Sequence, residues 1–276
     1  MSTTNLKFWK FHGRALLTRI GLWDRVERWR LRRRFRKGIA HERDFLFFRH
    51  FDGSDRLFVD IGANLGQSAL SFRLANRTCP ILSFEPNPNM EHALREVKRL
   101  LGNLFDFRMH GLGAATESKR LFVPTVHGIP FPQLAAARRE SLENNASVLD
   151  IINEWTHADR FVITERSIQM VRFDDLELSP AFVKIDVEGY ELDVIAGMER
   201  TIARCRPILM TEGAAARGLL AQRGYRTFLH EHEANYLRPA RASESDLNFF
   251  FVPEESVPDL ERIGAIRQTE SCSTES

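Results

Sequence analysis

The stretch Arg56–Pro86, RLFVDIGANLGQSALSFRLANRTCPILSFEP, decides the fold of this chain. It reads as a short apolar strand, a turn of the form D-x-G-x-N-x-G, a helix, and a second strand that ends in an acidic residue. Asp60 falls at the end of the first strand, where open α/β sheets bind ligands, so we expect its carboxylate to point into the crevice. This order of parts predicts a pocket for a cofactor that carries a nucleoside.

The turn between strand and helix limits which cofactor fits. Gly62 and Gly66 lack side chains where the chain must turn, and Asn64 is among the few other residues that tolerate left-handed angles. Glu85 follows Asp60 by 25 residues, close to the spacing that lets a carboxylate bind two ribose hydroxyls. The G-x-G-x-x-G pattern of dinucleotide sites is missing, and an acid in this turn would repel a pyrophosphate. A cofactor with an ammonium and a sulfonium suits it, which predicts S-adenosylmethionine (SAM).

A second segment, Ala181–Met210, repeats the order of strand, acidic turn, helix and strand in the sequence AFVKIDVEGYELDVIAGMERTIARCRPILM. Asp186 and Glu188 fall at the end of its first strand, beside the first crevice if the two strands are parallel neighbours. A carboxylate that ends an apolar strand is costly to bury without a partner, so we interpret Asp186 as functional. For Glu191 we favour a structural role at the positive N-terminal end of the helix.

Four segments together, VDIGANLG, FEPNP, FVKIDVEGYE and PILMTEG, resemble the FkbM-type methyltransferase family in their order and spacing. The resemblance covers about residues 56–252, and IDVEGYE is its most specific segment. It implies a SAM-dependent enzyme that methylates hydroxyl groups of glycans and natural products. The implied site residues are Asp60, Gly62, Asn64, Gly66 and Glu85 at the cofactor, with Asp186, Glu188 and Gly189 at the edge of the active site.

The implied fold is α/β, a Rossmann-like class I methyltransferase. Its sheet would have seven mostly parallel strands with one antiparallel edge strand, and the aromatic segment Asp246–Val252 suits that antiparallel strand. We divide the chain into an N-terminal helical extension (1–50), the methyltransferase domain (51–255) and a polar, partly disordered C-terminal tail (256–276). An insertion at about residues 126–160 is predicted to cap the substrate.

The loop after the third predicted strand is a further candidate for cofactor contact. It reads Gly111-Leu112-Gly113 and falls where the edge of an adenine usually rests in this architecture. We therefore add Gly111 and Leu112 to the predicted cofactor site.

The first 43 residues are strongly basic, with thirteen Lys or Arg against three acids, although the whole chain has a net charge of +2. Aromatic and aliphatic residues recur among these bases at helical spacing. This pattern predicts a basic amphipathic helix that either covers the cleft as a lid, which we favour, or makes peripheral contact with an anionic membrane. Three dispersed cysteines, no secretory signal and no membrane-length apolar run lead us to expect a cytoplasmic location, membrane-associated in the second case.

Methyl transfer to a hydroxyl requires that the acceptor's proton be removed. Three carboxylates are predicted near the methyl group: Asp186 as the first candidate base, Glu188 as the second, and Glu212 at the end of the next strand. His127 and His157 in the insertion are alternative bases. A divalent metal held by the carboxylates stays open but is not favoured, because their spacing fits no fixed metal motif.

The leading hypothesis is an O-methyltransferase acting on a glycan or another small hydroxylated acceptor. A nucleic-acid methyltransferase that uses the basic arm as a clamp is one alternative. The acidic remainder of the chain disfavours nucleic acid, as does the lack of an asparagine-proline-proline-aromatic element. A nucleotide-binding or membrane-tethered module without catalysis is the other alternative, and the joint presence of Asp60, Glu85 and Asp186 weighs against it.

Overall fold

The structure is a computed structural model. It describes residues 23–51, 53, 55–126, 129–131, 134–136, 139–143, 146–156, 160–245 and 247–268. The helices are α1 Trp23–Arg36, α2 Gln67–Ala75, α3 Glu91–Leu101, α4 Glu140–Glu143, α5 Ala146–Thr156, α6 Glu191–Gly197, α7 Glu199–Cys205, α8 Arg217–Ala221 and α9 Val257–Arg262. The strands are β1 Phe58–Ile61, β2 Ile81–Phe84, β3 Phe105–Arg108, β4 Gly111–Gly113, β5 Glu117–Val126, β6 Ile129–Pro130, β7 Val162–Arg172, β8 Phe182–Ile185, β9 Ile208–Glu212, β10 Tyr225–Glu231, β11 Tyr236–Pro239 and β12 Asn248–Pro253.

The main sheet has eight strands in the order β11-β10-β12-β9-β8-β1-β2-β3. The five strands from β9 to β3 run parallel to one another. This confirms the predicted Rossmann-like α/β class and the expected pairing of β1 with β8. The count of seven strands was wrong, because a hairpin after β10 adds β11 as an antiparallel edge strand.

The antiparallel strand predicted from the aromatic segment lies inside the sheet and not at its edge. β12 pairs antiparallel with β9 on one side and with β10 on the other. Its side chains Phe249–Val252 are fully buried on both faces. A strand covered on both faces needs a continuous apolar run, which explains why this segment lacks polar alternation.

A second sheet, in the order β4-β7-β5-β6, stands beside the main one. β5 and β7 form a long antiparallel pair that flanks the predicted insertion. The described part of the insertion contains α4 and α5, which pack in a small apolar cluster of their own with Phe122, Val126 and Phe131. The described part of the insertion therefore forms a small packed subdomain attached to the second sheet.

The two faces of the main sheet bury different helices because successive strand residues point to opposite sides. Phe58 and Phe182 belong to a core that also holds residues of α2 and α3. Val59, Ile61 and Ile185 belong to a second core with α6, α7 and the second sheet. The functional side chains at the strand ends consequently divide between these two faces.

The 3-10 helix Arg43–His50 packs inside the main core, although the sequence analysis assigned it to the extension of residues 1–50. Phe45, Phe47 and Phe48 are buried there. The ring centroids of Phe48 and Phe182 lie 5.2 Å apart in a T-shaped, edge-to-face contact. The packed core therefore extends into the region that the sequence analysis assigned to the extension.

The C-terminal limit also moves. The side chains of Val257, Leu260 and Ile266 are buried, and Ile266 bridges Leu237 of β11. Residues 257–268 therefore belong to the packed domain and not to a separate tail, while 269–276 lie outside the described residues.

Helix α1 packs on α2 and α3. Leu31 is buried against the core, and the guanidinium of Arg32 donates to both carboxylate oxygens of Glu96. Glu96 is 1% exposed, and it also accepts from Arg99 at 2.7 Å. Within the described part of the chain, no helix combines the length and apolar character needed to cross a bilayer.

We expect Phe48→Ala to lower the free energy of unfolding by about 3–5 kcal/mol, because it removes a fully enclosed aromatic ring and leaves a cavity. Urea unfolding followed by circular dichroism measures this loss. Trp29→Ala on α1 is the matched control, since Trp29 is 58% exposed and its loss should change stability by no more than about 0.5 kcal/mol. Equal effects of the two substitutions would show that the Arg43–His50 segment is not part of the core.

Candidate functional site

A cleft of about 850 Å³ opens at the carboxyl ends of β1, β2 and β8. Its floor comes from the main sheet, and residues of β4, β5 and β7 form the facing wall. The lining residues are Ile61, Gly62, Asn64, Gln67, Phe84, Glu85, Pro86, Asn87, Met90, Gly111, Leu112, Leu121, Ala135, Ile168, Met170, Asp186, Val187, Glu188 and Tyr190. This is the edge of an open parallel sheet at which ligands are expected.

The turn after β1 has the backbone shape that its sequence predicts. Gly62, Asn64 and Gly66 all have positive φ, of 84°, 48° and 81°. The N–H groups of Gly62 and Ala63 both donate to the carbonyl of Phe84 at 3.0 Å. A Cβ on Gly62 would lie 1.7 Å from the backbone oxygen of Asp186, so the turn after β1 touches the loop after β8. Gly66 does not line the cleft and instead packs toward α3.

Glu85 lies at the tip of β2 with its carboxylate held by the backbone. Its Oε2 accepts from the N–H of Asn64 and its Oε1 from the N–H of Asn87, both at 2.8 Å. Burial raises the pKa of Glu85 to about 7, and these two hydrogen bonds only partly oppose the rise. The carboxylate is thus fixed in orientation and keeps lone pairs for donors from a ligand.

Two further acceptors in the cleft wall lack partners. Asn64 Oδ1 and Gln67 Oε1 are buried and have no hydrogen-bond partner among the described residues. An unpaired buried amide oxygen is costly, so both atoms suit a ligand with several hydrogen-bond donors. The ammonium of an amino-acid group supplies such donors, and this fits the methionine part of SAM.

Part of the cleft wall is apolar. Leu112, Phe84, Met90 and Met170 line it, and Gly111 permits close packing because a Cβ there would lie 2.5 Å from the sulfur of Met170. A flat aromatic base suits such a wall. The structure therefore brings Gly111 and Leu112 to the same cleft as Gly62, Asn64 and Glu85.

Asp60 does not point into the cleft, and here the sequence expectation was wrong. It shares the opposite face of the sheet with its register partners Ser83 and Lys184. Its side chain is completely buried and its Oδ2 accepts from Ser83 Oγ at 2.9 Å. Burial raises the pKa of Asp60 to about 6, although Lys184 and Ser83 both act to lower it. The alternation of strand side chains makes Ile61, and not Asp60, the residue that faces the cleft.

Asp186 lines the cleft and has a partner that the sequence analysis missed. The ammonium of Lys184 bonds its Oδ2 at 2.7 Å, and Lys184 itself is buried in β8. Burial lowers the pKa of Lys184, but the carboxylates of Asp186 and Asp60 outweigh burial and leave that pKa raised. A lysine two residues before Asp186 on the same strand face was a readable signal for this ion pair.

Glu188 also lines the cleft, in a left-handed conformation with φ 53°. Partial desolvation raises its pKa to about 7, and the negative charges of Asp186, Glu212 and Glu191 add to the rise. Glu191 has the structural role expected of it, because its Oε1 accepts from the N–H groups of Val187 and Gly189 at 3.3 and 3.1 Å.

Glu212 ends β9 beside this group without lining the cleft. Desolvation and the charge of Asp186 raise its pKa. Among the described residues the cleft also recruits Gln67, Asn87, Met170 and Tyr190, which the sequence analysis did not propose. Met170 reaches the site through tertiary packing of β7, so no local pattern could have identified it, whereas Tyr190 stands in the segment IDVEGYE close to Glu188.

Several predictions about the rim cannot be placed. His127 and His157 lie outside the described residues. Ala135 of the insertion does line the cleft, which fits a cap over the substrate. The described part of α1 does not line it, so the lid interpretation depends on residues 1–22, also outside the described residues.

This geometry defines a Rossmann-like fold with a cleft at the carboxyl ends of β1, β2 and β8. The family model described as the methyltransferase FkbM domain matches residues 60–237, more than half of the chain. The chain therefore belongs to the FkbM methyltransferase family.

Solved structures give weaker likenesses. An FkbM methyltransferase from Methylobacillus flagellatus has 18% identity and a TM-score of 0.45, with 72% of this chain and 44% of that one covered. This chain thus spans less than half the length of that protein. A precorrin-6Y C5,15-methyltransferase from Geobacter metallireducens has 13% identity, a TM-score of 0.37 and coverage of 76% and 83%. An rRNA methylase from Streptococcus thermophilus has 8% identity and a TM-score of 0.37, with 74% of this chain and 89% of that one covered. None of the curated proteins compared with the chain matches it significantly.

We expect Gly62→Ala to abolish the folded site, because its methyl group would overlap the backbone oxygen of Asp186. The free energy of unfolding should fall by at least about 4 kcal/mol, or the protein should fail to fold. Gly218→Ala is the control, since a Cβ there meets nothing within 4 Å and a helical alanine should stabilise by up to about 1 kcal/mol. Urea unfolding of both variants compares them, and a stable Gly62→Ala protein would contradict the close approach of the two loops.

Proposed function

We propose that this protein transfers the methyl group of SAM to a hydroxyl group of a glycan or a small natural product. The observation that carries the proposal is the fixed Glu85 carboxylate beside the unpaired oxygens of Asn64 and Gln67. Together they offer acceptors for a ribose diol and an ammonium in one cleft. Membership of the FkbM family supports the methyl-transfer chemistry.

The lining of the cleft suggests how the cofactor is held. Glu85 would accept from the ribose hydroxyls, and Asn64 and Gln67 would accept from the methionine ammonium. Gly111 and Leu112 would pack against the base. Bound SAM would supply an electrophilic methyl group on its sulfonium, and the protein needs to orient the acceptor in line with it.

Glu188 is the best-supported base for the acceptor hydroxyl. Its raised pKa of about 7 is close to the optimum for a group that must be ionised yet still take a proton near neutral pH. Asp186 is instead engaged in an ion pair with the ammonium of Lys184 at 2.7 Å. We therefore assign Asp186 a positioning role, in which the ion pair with Lys184 fixes its carboxylate at the cleft.

The nature of the acceptor is supported by the shape of the facing wall. Leu121, Ile168 and Ala135 give that wall an apolar surface. Asp186 and Glu188 line the same cleft and offer carboxylates for an acceptor hydroxyl. Such a division suits an acceptor with an apolar face and an exposed hydroxyl, as a sugar ring or a polyketide presents.

We expect Glu85→Ala to weaken SAM binding by roughly 100-fold, because two hydrogen bonds to a charged acceptor are lost at about 1.5 kcal/mol each. Isothermal titration calorimetry with SAM measures the change. Glu91→Ala on α3 is the matched control, since Glu91 pairs with Arg95 and does not line the cleft. Unchanged affinity in Glu85→Ala would remove the assignment of this cleft to SAM.

We expect the rate of methyl transfer to rise with pH through about 7 and then level off, because Glu188 must lose its proton to act as the base. Radiolabelled SAM and a panel of hydroxylated sugars and polyketides would identify an acceptor for the pH profile of kcat/KM. Glu188→Gln should remove the rise together with most of the activity, while SAM affinity stays near that of the unchanged protein. A Glu188→Gln enzyme with the full rate and the same pH profile would exclude Glu188 as the base.

A further inference from the structure

A second group of chemically reactive side chains lies away from the cleft, where the 3-10 helix Arg43–His50 meets the end of β10. Asp44, His230 and His232 place one ligand atom each within 4.8 Å of one another. They are not close in sequence: Asp44 precedes the first strand, while His230 and His232 stand two residues apart at the end of β10. The proposed methyl-transfer chemistry uses none of the three.

The carboxylate of Asp44 is at the centre of the group. Its Oδ1 lies 2.9 Å from His232 Nε2 and 3.7 Å from His230 Nδ1. Its other oxygen, Oδ2, accepts from the side-chain amide of Asn248 at 3.1 Å, and the same amide donates to Glu42. Asn248 thus fixes the carboxylate so that Oδ1 faces both imidazoles, as outer partners of metal ligands do.

His230 provides the observation that points to a missing ligand. Its side chain has no exposed surface, and its Nδ1 is buried without a hydrogen-bond partner among the described residues. The other ring nitrogen, Nε2, donates to Asn235 Oδ1 at 3.1 Å. This bond places the ring proton on Nε2, so Nδ1 carries a lone pair.

A lone pair that faces a carboxylate oxygen across 3.7 Å is electrostatically unfavourable unless a cation lies between the two atoms. Ligand atoms that share one ion at about 2 Å lie roughly 3–4 Å apart, which the two measured separations approach. Two imidazoles and a carboxylate suit Zn²⁺ and its neighbours in the first transition row better than Mg²⁺ or Ca²⁺.

We propose that Asp44, His230 and His232 bind a divalent transition-metal ion such as Zn²⁺, with a coordination position left for water. The ligands come from two elements, so the ion cross-links the segment that leads from α1 into the domain to the end of β10. Binding should therefore stabilise the folded protein. The proposal does not depend on SAM binding, because none of its ligands lines the cofactor cleft.

The test uses the full chain without a histidine tag, stripped with a chelator and titrated with Co²⁺ followed by visible absorption. We expect a saturable band at one equivalent that Zn²⁺ abolishes, and a melting temperature that rises with Zn²⁺. His232→Ala and Asp44→Asn should lose both responses, and these partly exposed positions should tolerate the changes better than the buried His230. Asn248→Ala should weaken metal binding by roughly tenfold, because the Asp44 carboxylate would no longer be held in place by the amide.

His92→Ala is the matched control, since His92 lies on α3 and bonds a backbone carbonyl there. It should bind Co²⁺ and Zn²⁺ as the unchanged protein does. Circular dichroism of the stripped variants separates loss of binding from loss of folding. The proposal is overturned if the unchanged protein takes up neither ion, or if folded His232→Ala and Asp44→Asn proteins bind as tightly as it does. A separate titration of the same protein with SAM tests the methyltransferase proposal. Its outcome does not depend on metal binding, so failure of one proposal can be told apart from failure of the other.

Discussion

The close approach of the loops after β1 and β8 is the constraint on which the rest of the site depends. Asp186 N–H donates to the carbonyl of Ile61 at 3.0 Å, and Gly62 leaves no room for a side chain between the two backbones. This contact brings the residues after two strands, far apart in sequence, to one edge of the sheet. Asn64 and Glu85 then lie on one side of the junction, and Asp186 and Glu188 on the other.

The electrostatics of that edge are set by one buried lysine. Asp60, Asp186 and Glu188 would repel one another at a strand edge, and the ammonium of Lys184 offsets part of that repulsion where it bonds Asp186. Lys184 lies across from Asp60 in the sheet register, so its charge acts on Asp60 as well as on Asp186. Glu188 has no such partner in the described part of the chain, and its pKa is correspondingly raised. Unequal pairing therefore gives neighbouring carboxylates different chemistry.

Beyond β9, the main sheet carries the group of Asp44, His230 and His232, which is chemically different from the cleft. Asn248 pairs in register with Glu212. Its side-chain amide also donates to Asp44, and Asp44 in turn lies next to the two histidines at the end of β10. β12 lies between β9 and β10, so two strands, β9 and β12, separate the imidazoles at the end of β10 from β8 and the cleft. The aromatic packing of Phe47 and Phe48 holds the Asp44 segment against the sheet.

The sequence by itself determined the fold class, the strand-turn-helix order and the glycine positions of the turn, because these depend on local periodicity and on backbone angles that few residues tolerate. It also identified Glu85, Asp186 and Glu188 as residues of the cleft, since each follows the end of a parallel strand. Only the tertiary structure decided that Asp60 lies under the cleft, that β12 is an interior strand and that Lys184 neutralises Asp186. These outcomes depend on which face each strand residue takes and on which strands become neighbours, and both are set by packing between segments that are distant in sequence.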